Sequence, residues 1–379
     1  MLWLSLTLAG AMVWLLIAAI GAWRITDVFK PDDAPASLAD ITVLIPARNE
    51  AQTLGACLHA LAAQGTDLRI VVVDDQSTDA TPQVARVALA GRGEVLAGAP
   101  LPTGWAGKLW ALEQGRRAVK TTHVLLLDAD IALAPGVVAG LQKKMRENQL
   151  ALASLMVQLP TRCLAEKLLI PAFVFFFKLL YPFGLSNNPR YGRIAAAAGG
   201  CILLDTRALD QIGGFASLRG ALIDDCTLAA RIKAGGFRTW IGLTHAAHSL
   251  RGYDGFMPIG NMIARSAFSQ LRFSLLLLLA VTAVFCITFL LPPLALLLAS
   301  GAAQWLAFVA CFAMTLLYVP LLTHYRLSPA WALLMPAIAA FYLAMTWLSA
   351  WRHWRGAGAQ WKGRAYGKSM DSKPCPLHS

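Results

Sequence analysis

The chain has two textures. Both ends are long apolar runs, and between them short apolar blocks are punctuated by polar turns. Residues 2–23 (LWLSLTLAGAMVWLLIAAIGAW) carry no charge and are long enough to cross a bilayer as a helix. A cleaved signal peptide wants basic residues ahead of a shorter apolar core, and neither is present, so the pattern predicts an uncleaved anchor. Residues 274–350 are again almost uncharged and read as three spans, 275–299, 302–322 and 329–350, the first bent at Pro292-Pro293.

The middle has the alternation of an aqueous domain. ITVLIPARNE reads as a strand running into a loop at Pro46, and AQTLGACLHALAAQG as a helix ending at Gly65. RIVVVDDQSTDATPQVARVALAG predicts a buried strand, a polar turn and a helix opening near Pro82. GWAGKLWALEQGRRAV adds a loop and a helix. HVLLLDADIAL is another strand, followed by a helix over 135–148 and the strand LALASLMVQ. Strands alternating with helices predict an α/β domain with a parallel sheet covered on both faces. Ligands in such folds bind at the carboxyl ends of the strands. Three of those ends are polar here: Arg48, Asn49 and Glu50; Asp74 and Asp75; Asp128 and Asp130.

Within HVLLLDADIAL an extended chain turns Asp128 and Asp130 to the same side, where two like charges are costly without a cation. A divalent metal shared with phosphate oxygens suits such a pair; the bland alternative is an aspartate pair capping the helix that starts near Pro135. No G-x-G-x-x-G or G-K-[ST] loop follows any strand, which removes the main support for dinucleotide and P-loop readings.

Composition sharpens the picture. The 379 residues are 57% hydrophobic and only 14% charged, too apolar for an ordinary soluble enzyme. The net charge of +12 fits apposition to anionic lipid, and with no recognition motif present, nucleic acid is not the expected partner. Arg24 and Lys30 follow the first span, which predicts a cytosolic domain. The tail holds Arg352, Arg355, Lys362, Arg364 and Lys368, which also argue for the cytosol, yet three spans would leave it outside. Either one apolar segment is re-entrant or the tail breaks the rule. The seven cysteines have no zinc-like spacing and read as reduced thiols.

The motifs IPARNE (45–50), VVDDQSTDAT (72–81), DAD (128–130), GGCILLDTRALDQIGGF (199–215) and IDDCTLAARIKAGGF (223–237) resemble family 2 glycosyltransferases of the GT-A fold, in order across residues 41–243. LPTGWAGKLWALEQG, NMIARSAFSQLRFS and WKGRAY are similar to membrane-bound enzymes of hopanoid and carotenoid pathways, with ceramide glucosyltransferase more distant. The resemblance implies a Rossmann-like nucleotide-diphospho-sugar transferase domain over 40–250, preceded by the anchor (1–24). An interfacial amphipathic segment (251–273), transmembrane helices (274–351) and the basic tail (352–379) would follow, in a bacterial inner membrane. It further implies that Asp75 holds the base of a nucleotide-sugar donor, expected to be a UDP-sugar, with Pro46, Arg48, Glu50 and Asp74 around the nucleotide. Asp128 would contact the sugar-nucleotide, Asp130 a Mg2+ or Mn2+ ion, and Lys108 the phosphates or donor sugar. Asp225 would be the catalytic base, with Gly199, Gly200 and Asp224 lining the acceptor loop.

Inverting glycosyl transfer needs such a base for the acceptor hydroxyl, plus positive charge for the departing diphosphate. The bland alternative for DDCTL is a helix N-cap at Asp224 or Asp225. The family often has Glu-Asp where Asp224-Asp225 stand. The Q-x-x-R-W motif of processive synthases is absent, which favours transfer of one sugar; Arg265 is the weak candidate for that motif's diphosphate arginine, or else an interfacial cation. His245 and His248 offer a further metal ligand or, more blandly, hydrogen-bonded loop histidines. Residues 168–185 approach span length, but crossing there would put Asp130 and Asp225 on opposite sides. They are expected to lie at the interface with Lys178 reaching headgroups, beside a lipid acceptor, or else to form a buried helix. The alternatives are a polyprenyl-phosphate glycosyltransferase, a processive synthase, and a non-enzymatic transporter or scaffold; a transporter would place ionisable residues within its spans.

Overall fold

The computed structural model describes residues 1–32, 34, 36–65, 67–221, 223–356, 360–361 and 364–365. Lys362, Lys368 and Cys375 of the tail lie outside them. Helix α1 (Leu2–Ile20) leads to the short β1 (Val28–Phe29) and then into the domain. There β2 (Ile41–Ala47), α2 (Leu54–Ala62), β3 (Arg69–Asp74), α3 (Thr81–Leu89), β4 (Gly93–Ala97), α4 (Gly107–Arg116) and β5 (His123–Leu127) alternate. Next come β6 (Ile131–Leu133), α5 (Val137–Asn148), β7 (Leu150–Gln158), α6 (Leu164–Leu180) and α7 (Phe183–Ser186). The domain closes with β8 (Cys201–Asp205), α8 (Thr206–Gln211), α9 (Asp224–Ala234) and β9 (Arg238–Ser249).

The strands form one sheet in the order β1-β9-β7-β8-β5-β2-β3-β4, with β6 paired to β9. Period-two alternation divides it between two cores. Val43, Ile45, Val72, Leu125 and Leu127 face the α2, α3 and α5 side; Leu44, Val71, Val73, Val124 and Leu126 face α4, α8 and α9. With both faces covered, every residue of β2 is buried, hence its unbroken apolar run. The close seating of α4 depends on Gly115, where a Cβ would stand 2.3 Å from Leu44 Cδ1 and 2.7 Å from Val73 Cγ2.

Two expectations are corrected. The sheet is mixed: β8 runs antiparallel to both β5 and β7, and β6 antiparallel to β9. HVLLLDADIAL is not one strand either, because the chain turns at Asp128–Asp130, where the Ile131 N–H bonds back to the Asp128 carbonyl at 3.1 Å.

Beyond the sheet, α10 (Phe256–Gln270) precedes α11 (Leu275–Phe285), a π-helical turn (Cys286–Leu290) and α12 (Leu291–Leu298). Pro292 and Pro293 lack N–H groups, so the hydrogen-bond ladder must shift just ahead of them, where the turn sits. Then follow α13 (Ala302–His324) and, after a 3-10 segment (Pro329–Leu334), α14 (Met335–Trp354). Among the described residues, four helical stretches are long and apolar enough to cross a membrane: Leu2–Ile20, Leu275–Leu298, Ala302–His324 and Pro329–Trp354. The N-terminal helix packs with the C-terminal ones: the Trp14 indole donates to the Thr288 carbonyl at 3.0 Å, and its ring meets Phe289 edge-on.

Helix α6 is buried between the sheet and these helices, with Phe175 and Ile170 in the shared core. Lys178 does not reach outward. It is buried, donates to the Arg24 carbonyl at 2.6 Å, and is pushed down to about 8 by burial against a smaller opposing pull from Asp27. Helix α6 is packed between the sheet and the apolar helices, so its lysine ends inside the molecule. Substituting Gly115→Ala is expected to destabilise the domain by about 1–3 kcal/mol through overpacking against Leu44 and Val73, read as a lower midpoint in denaturant.

Candidate active site

Because β8 is antiparallel to β5, it begins where β5 ends. Cys201 pairs with Leu127, and the Asp128 N–H donates to the Gly200 carbonyl at 3.1 Å. Lys108, in the first turn of α4, comes to the same point: its ammonium lies 2.6 Å from Asp128 Oδ1 and donates to the Gly199 carbonyl at 3.1 Å. The Gly199 N–H in turn donates to Asp225 Oδ2 at 2.8 Å, while Asp225 Oδ1 accepts the Cys226 N–H at 2.7 Å. One peptide segment thus has a lysine on its carbonyl and a carboxylate on its N–H. A Cβ on Gly199 would lie 3.3 Å from both Lys108 Nζ and Asp225 Oδ2, so glycine keeps the two groups close.

Asp130, past the turn, faces a different cation. Its Oδ2 lies 3.5 Å from Arg251 Nε, and Arg251 also pairs with Glu50. The Asp130 carbonyl accepts the Leu250 N–H at 2.7 Å, which pins the turn to the end of β9. The two aspartates of DAD are therefore separated, Asp128 toward Lys108 and Asp130 toward Arg251.

The ends of β2 and β3 supply the next wall. Asp75 is fully buried, with its N–H on the Ala47 carbonyl at 2.8 Å. Arg48 donates to the carbonyls of Asp75 and Gln76 at 2.6 and 2.9 Å, bracing that loop from within the protein. Asp74 accepts the Ser77 N–H at 3.3 Å, Glu50 receives the Thr53 hydroxyl at 3.1 Å, and Pro46 is the penultimate residue of β2.

Electrostatics follow from this crowding. Burial works against the Lys108 ammonium, but Asp128, Asp224 and Asp225 outweigh it and hold the lysine well above its usual value. Burial and the neighbouring Asp224 push Asp225 up to about 6, against the Cys226 and Gly199 N–H groups and Lys108. Burial, then Asp128, raises Asp130, with Arg251 opposing and Glu50 adding. An excess of negative potential at Asp130 fits a divalent cation, as does an all-oxygen donor set. No group of three or more His, Cys, Asp and Glu residues gathers to hold a metal among the described residues, so phosphate and water oxygens would have to complete the coordination.

Several sequence expectations change here. The N-cap of α9 is Ile223, and Asp224 and Asp225 occupy its first turn, so neither is the cap. His245 and His248 lie in β9 rather than a loop. His245 shares a hydrogen bond with Gln158 at 3.3 Å and stacks on His324, and neither histidine joins Asp130 in a ligand cluster. Arg265 is an exposed residue of α10 whose charge acts on Tyr253, as does that of Asp130. Burial, with Asp130 and Asp128 adding, keeps Cys57 a thiol, and six described cysteines are free.

Residues 42–213 match the model of "Glycosyl transferase family 2". Over those residues the chain is similar to family 2 glycosyltransferases. Similar curated proteins are two entitled "4,4'-diaponeurosporenoate glycosyltransferase" from Staphylococcus aureus: strain bovine RF122 / ET3-1 is 36% identical and strain USA300 35%, each over 91 residues. Each match covers 24% of this chain, which spans about a quarter (24%) of those relatives' length. Among solved structures, a mannosyltransferase from Pyrobaculum calidifontis in complex with GDP-Man and Mn2+ superposes with a TM-score of 0.58 at 19% identity. It covers 92% of this chain and 99% of its own, which marks a shared fold.

The matched stretch contains Asp75, Lys108, Asp128, Asp130 and Gly199 but ends before Asp225 and Arg251. Arg251 escaped the sequence reading. Its signal was only a cation two residues beyond a strand, and its relevance depends on β6 folding back along β9, with Ile131 opposite Ser249. Replacing it by methionine (Arg251→Met) leaves Glu50 and Asp130 without that cation. Because Arg251 is 40% exposed, solvent screening cuts the cost well below that of a fully buried pair, to about 1–2 kcal/mol, measurable by denaturant unfolding.

Proposed function

We propose that this protein is an inverting glycosyltransferase that moves a single sugar from a nucleotide-diphosphate donor, a UDP-sugar, to a membrane lipid of the hopanoid or isoprenoid type. It would act at the cytosolic face of a bacterial inner membrane. The observation that carries the reading is the Lys108–Gly199–Asp225 arrangement: a cation and a carboxylate bridged by one peptide segment, beside Asp128. The family 2 match supports the reaction class, and the relatives' name points toward an isoprenoid acceptor. The four apolar helices support a membrane setting.

In the proposed reaction Asp225 takes the proton of the acceptor hydroxyl as the oxygen attacks the anomeric carbon. Each of its oxygens already accepts one backbone N–H, which fixes its plane and leaves lone pairs for that proton. A value near 6 leaves it largely ionised at neutral pH yet basic enough to serve. Lys108, held charged by the aspartates, is placed to stabilise negative charge on the leaving diphosphate. The buried Asp75, with the Arg48-braced loop, would bind the base. A Mg2+ or Mn2+ ion held by Asp130 would supply Lewis-acid stabilisation of the diphosphate.

The reading is tested by incubating detergent-purified protein with radiolabelled UDP- and GDP-sugars, divalent metal and total membrane lipid, then following label into the organic phase. Label in lipid is expected with a UDP-sugar; its absence for every donor, or failure to bind nucleotide, overturns the reading. Asp225→Asn is expected to lower turnover by about 10²–10⁴-fold while nucleotide still binds by calorimetry. A polyprenyl-phosphate acceptor, which needs little base catalysis, would leave that variant near wild-type. Turnover should fall about tenfold per pH unit below about 6, as Asp225 gains a proton. Asp224→Asn removes a charge that raises Asp225, so the limb should move to lower pH.

A further inference from the structure

Helix α14 is long and apolar enough to cross a bilayer, and as a third crossing after the domain it would carry the basic tail to the far side. Its contacts place it elsewhere. The fixed reference is α6, which cannot cross because the chain enters it from β7 and leaves it toward β8, two paired strands of the same sheet. Alongside it α10 runs in the same direction. Near its start the Tyr253 N–H donates to Glu166 Oε1 at 2.7 Å, and at its end the Tyr181 hydroxyl donates to Gln270 Oε1 at 2.9 Å.

Alongside α10, in turn, α14 runs the same way. Phe341 meets Phe256 with ring centroids 6.2 Å apart, and Gly260 opens a place for Met345, whose sulfur would lie 2.7 Å from a Cβ there. Farther on, the Phe268 N–H donates to Ser349 Oγ at 3.1 Å, and the Phe268 ring packs on His353 and Trp354. A direct bond joins α14 to α6, from the Tyr342 hydroxyl to the Leu169 carbonyl at 2.7 Å. The start of α14 follows α13, whose last residue His324 stacks on His245 of the sheet. Its end lies where α10 ends and α11 begins, with Ala350, Phe268 and Leu278 in one cluster. Both ends of α14 are therefore on the domain side.

We propose that α14, with α10, forms a platform that docks on the headgroup–acyl boundary of a bilayer rich in anionic lipid. The chain then crosses only through α1, α11–α12 and α13, and the tail stays on the domain's side. Charge and aromatic content match that partner. Arg265, Arg272 and Arg355 are exposed, Trp351 and Trp354 are about half exposed, and the Arg355 guanidinium lies over the Trp351 ring at 4.3 Å. Tryptophan and arginine are the residues that settle at this boundary. Three crossings also put Arg352 and Arg355 on the same side as Arg24 and Lys30, as the positive-inside rule demands.

The proposal rests on the membrane setting of the function proposed above, and the test separates the two. Arg92→Cys on the domain, Ser300→Cys between α12 and α13, and Arg355→Cys after α14 are made singly in full-length protein whose native cysteines are replaced by serine. Each is treated with an impermeant maleimide in right-side-out and inverted vesicles. The expected result is loss of labelling at 92 and 355 together in right-side-out vesicles, and loss at 300 in inverted ones. Labelling of 355 with 300, apart from 92, overturns the platform while leaving the membrane setting intact. Labelling of all three from one side overturns both, since nothing then crosses between domain and turn. A fluorescent protein fused after Ser379 of the unsubstituted chain, which matures only in the cytosol, should fluoresce; a dark fusion in the membrane fraction overturns the platform.

Discussion

The contact on which the site depends is the Lys108 ammonium held between Asp128 and the Gly199 carbonyl. A lysine only 18% exposed is costly unless its charge is compensated, and the compensation here comes from three separate stretches of chain. Asp128 follows one strand, Gly199 precedes another, and Asp224 with Asp225 opens a helix. Each must arrive for the others to be tolerable. The antiparallel insertion of β8 is the topological feature that permits this, because a parallel strand would carry residues 199–200 to the opposite edge of the sheet.

That dependence explains what could be read from the sequence. Alternating blocks give the α/β domain because β2, β3 and β5 are parallel, buried on both faces, and therefore unbroken in hydrophobicity. Strand-end acids give Asp75, Asp128 and Asp130 for the same reason: charge next to a buried strand is rare unless something answers it. What answers it was not legible. Local pattern is blind to direction, so CILLD looks the same whether it runs with its neighbours or against them. The partition of Asp128 to Lys108 and Asp130 to Arg251 depends on a turn inside an apolar run, and apolar runs are where a periodicity argument least expects one. Arg251 was invisible because its partners, Glu50 and Asp130, lie 201 and 121 residues away along the chain.

The same limit applies to the apolar helices. Length and hydropathy mark α1, α11–α12, α13 and α14 alike as candidate spans, since both quantities ignore what a helix packs against. Helix α6 is shorter and carries Glu166, Lys167 and Lys178, and it lies in the chain between β7 and β8 of the same sheet, so position as well as composition keeps it from crossing. Lys178 likewise looked like a snorkelling residue, yet its ammonium ends on the Arg24 carbonyl inside the molecule.

The layer of α6 and α10 also bears on the acceptor. The Tyr181 hydroxyl that closes the far end of that layer on Gln270 lies close enough to Cys226, the residue after Asp225, for the charges of the two groups to act on each other. The proposed base is thus at the end of the helices that face the apolar part of the molecule, while the Asp75 loop and Asp130 stand on the sheet's polar edge. An acceptor with a long apolar body and one polar end could keep the body among the helices and offer only the end to Asp225. That placement, a carboxylate beside the helices and an acidic loop at the strand ends, is the part of the fold on which the proposed lipid acceptor rests.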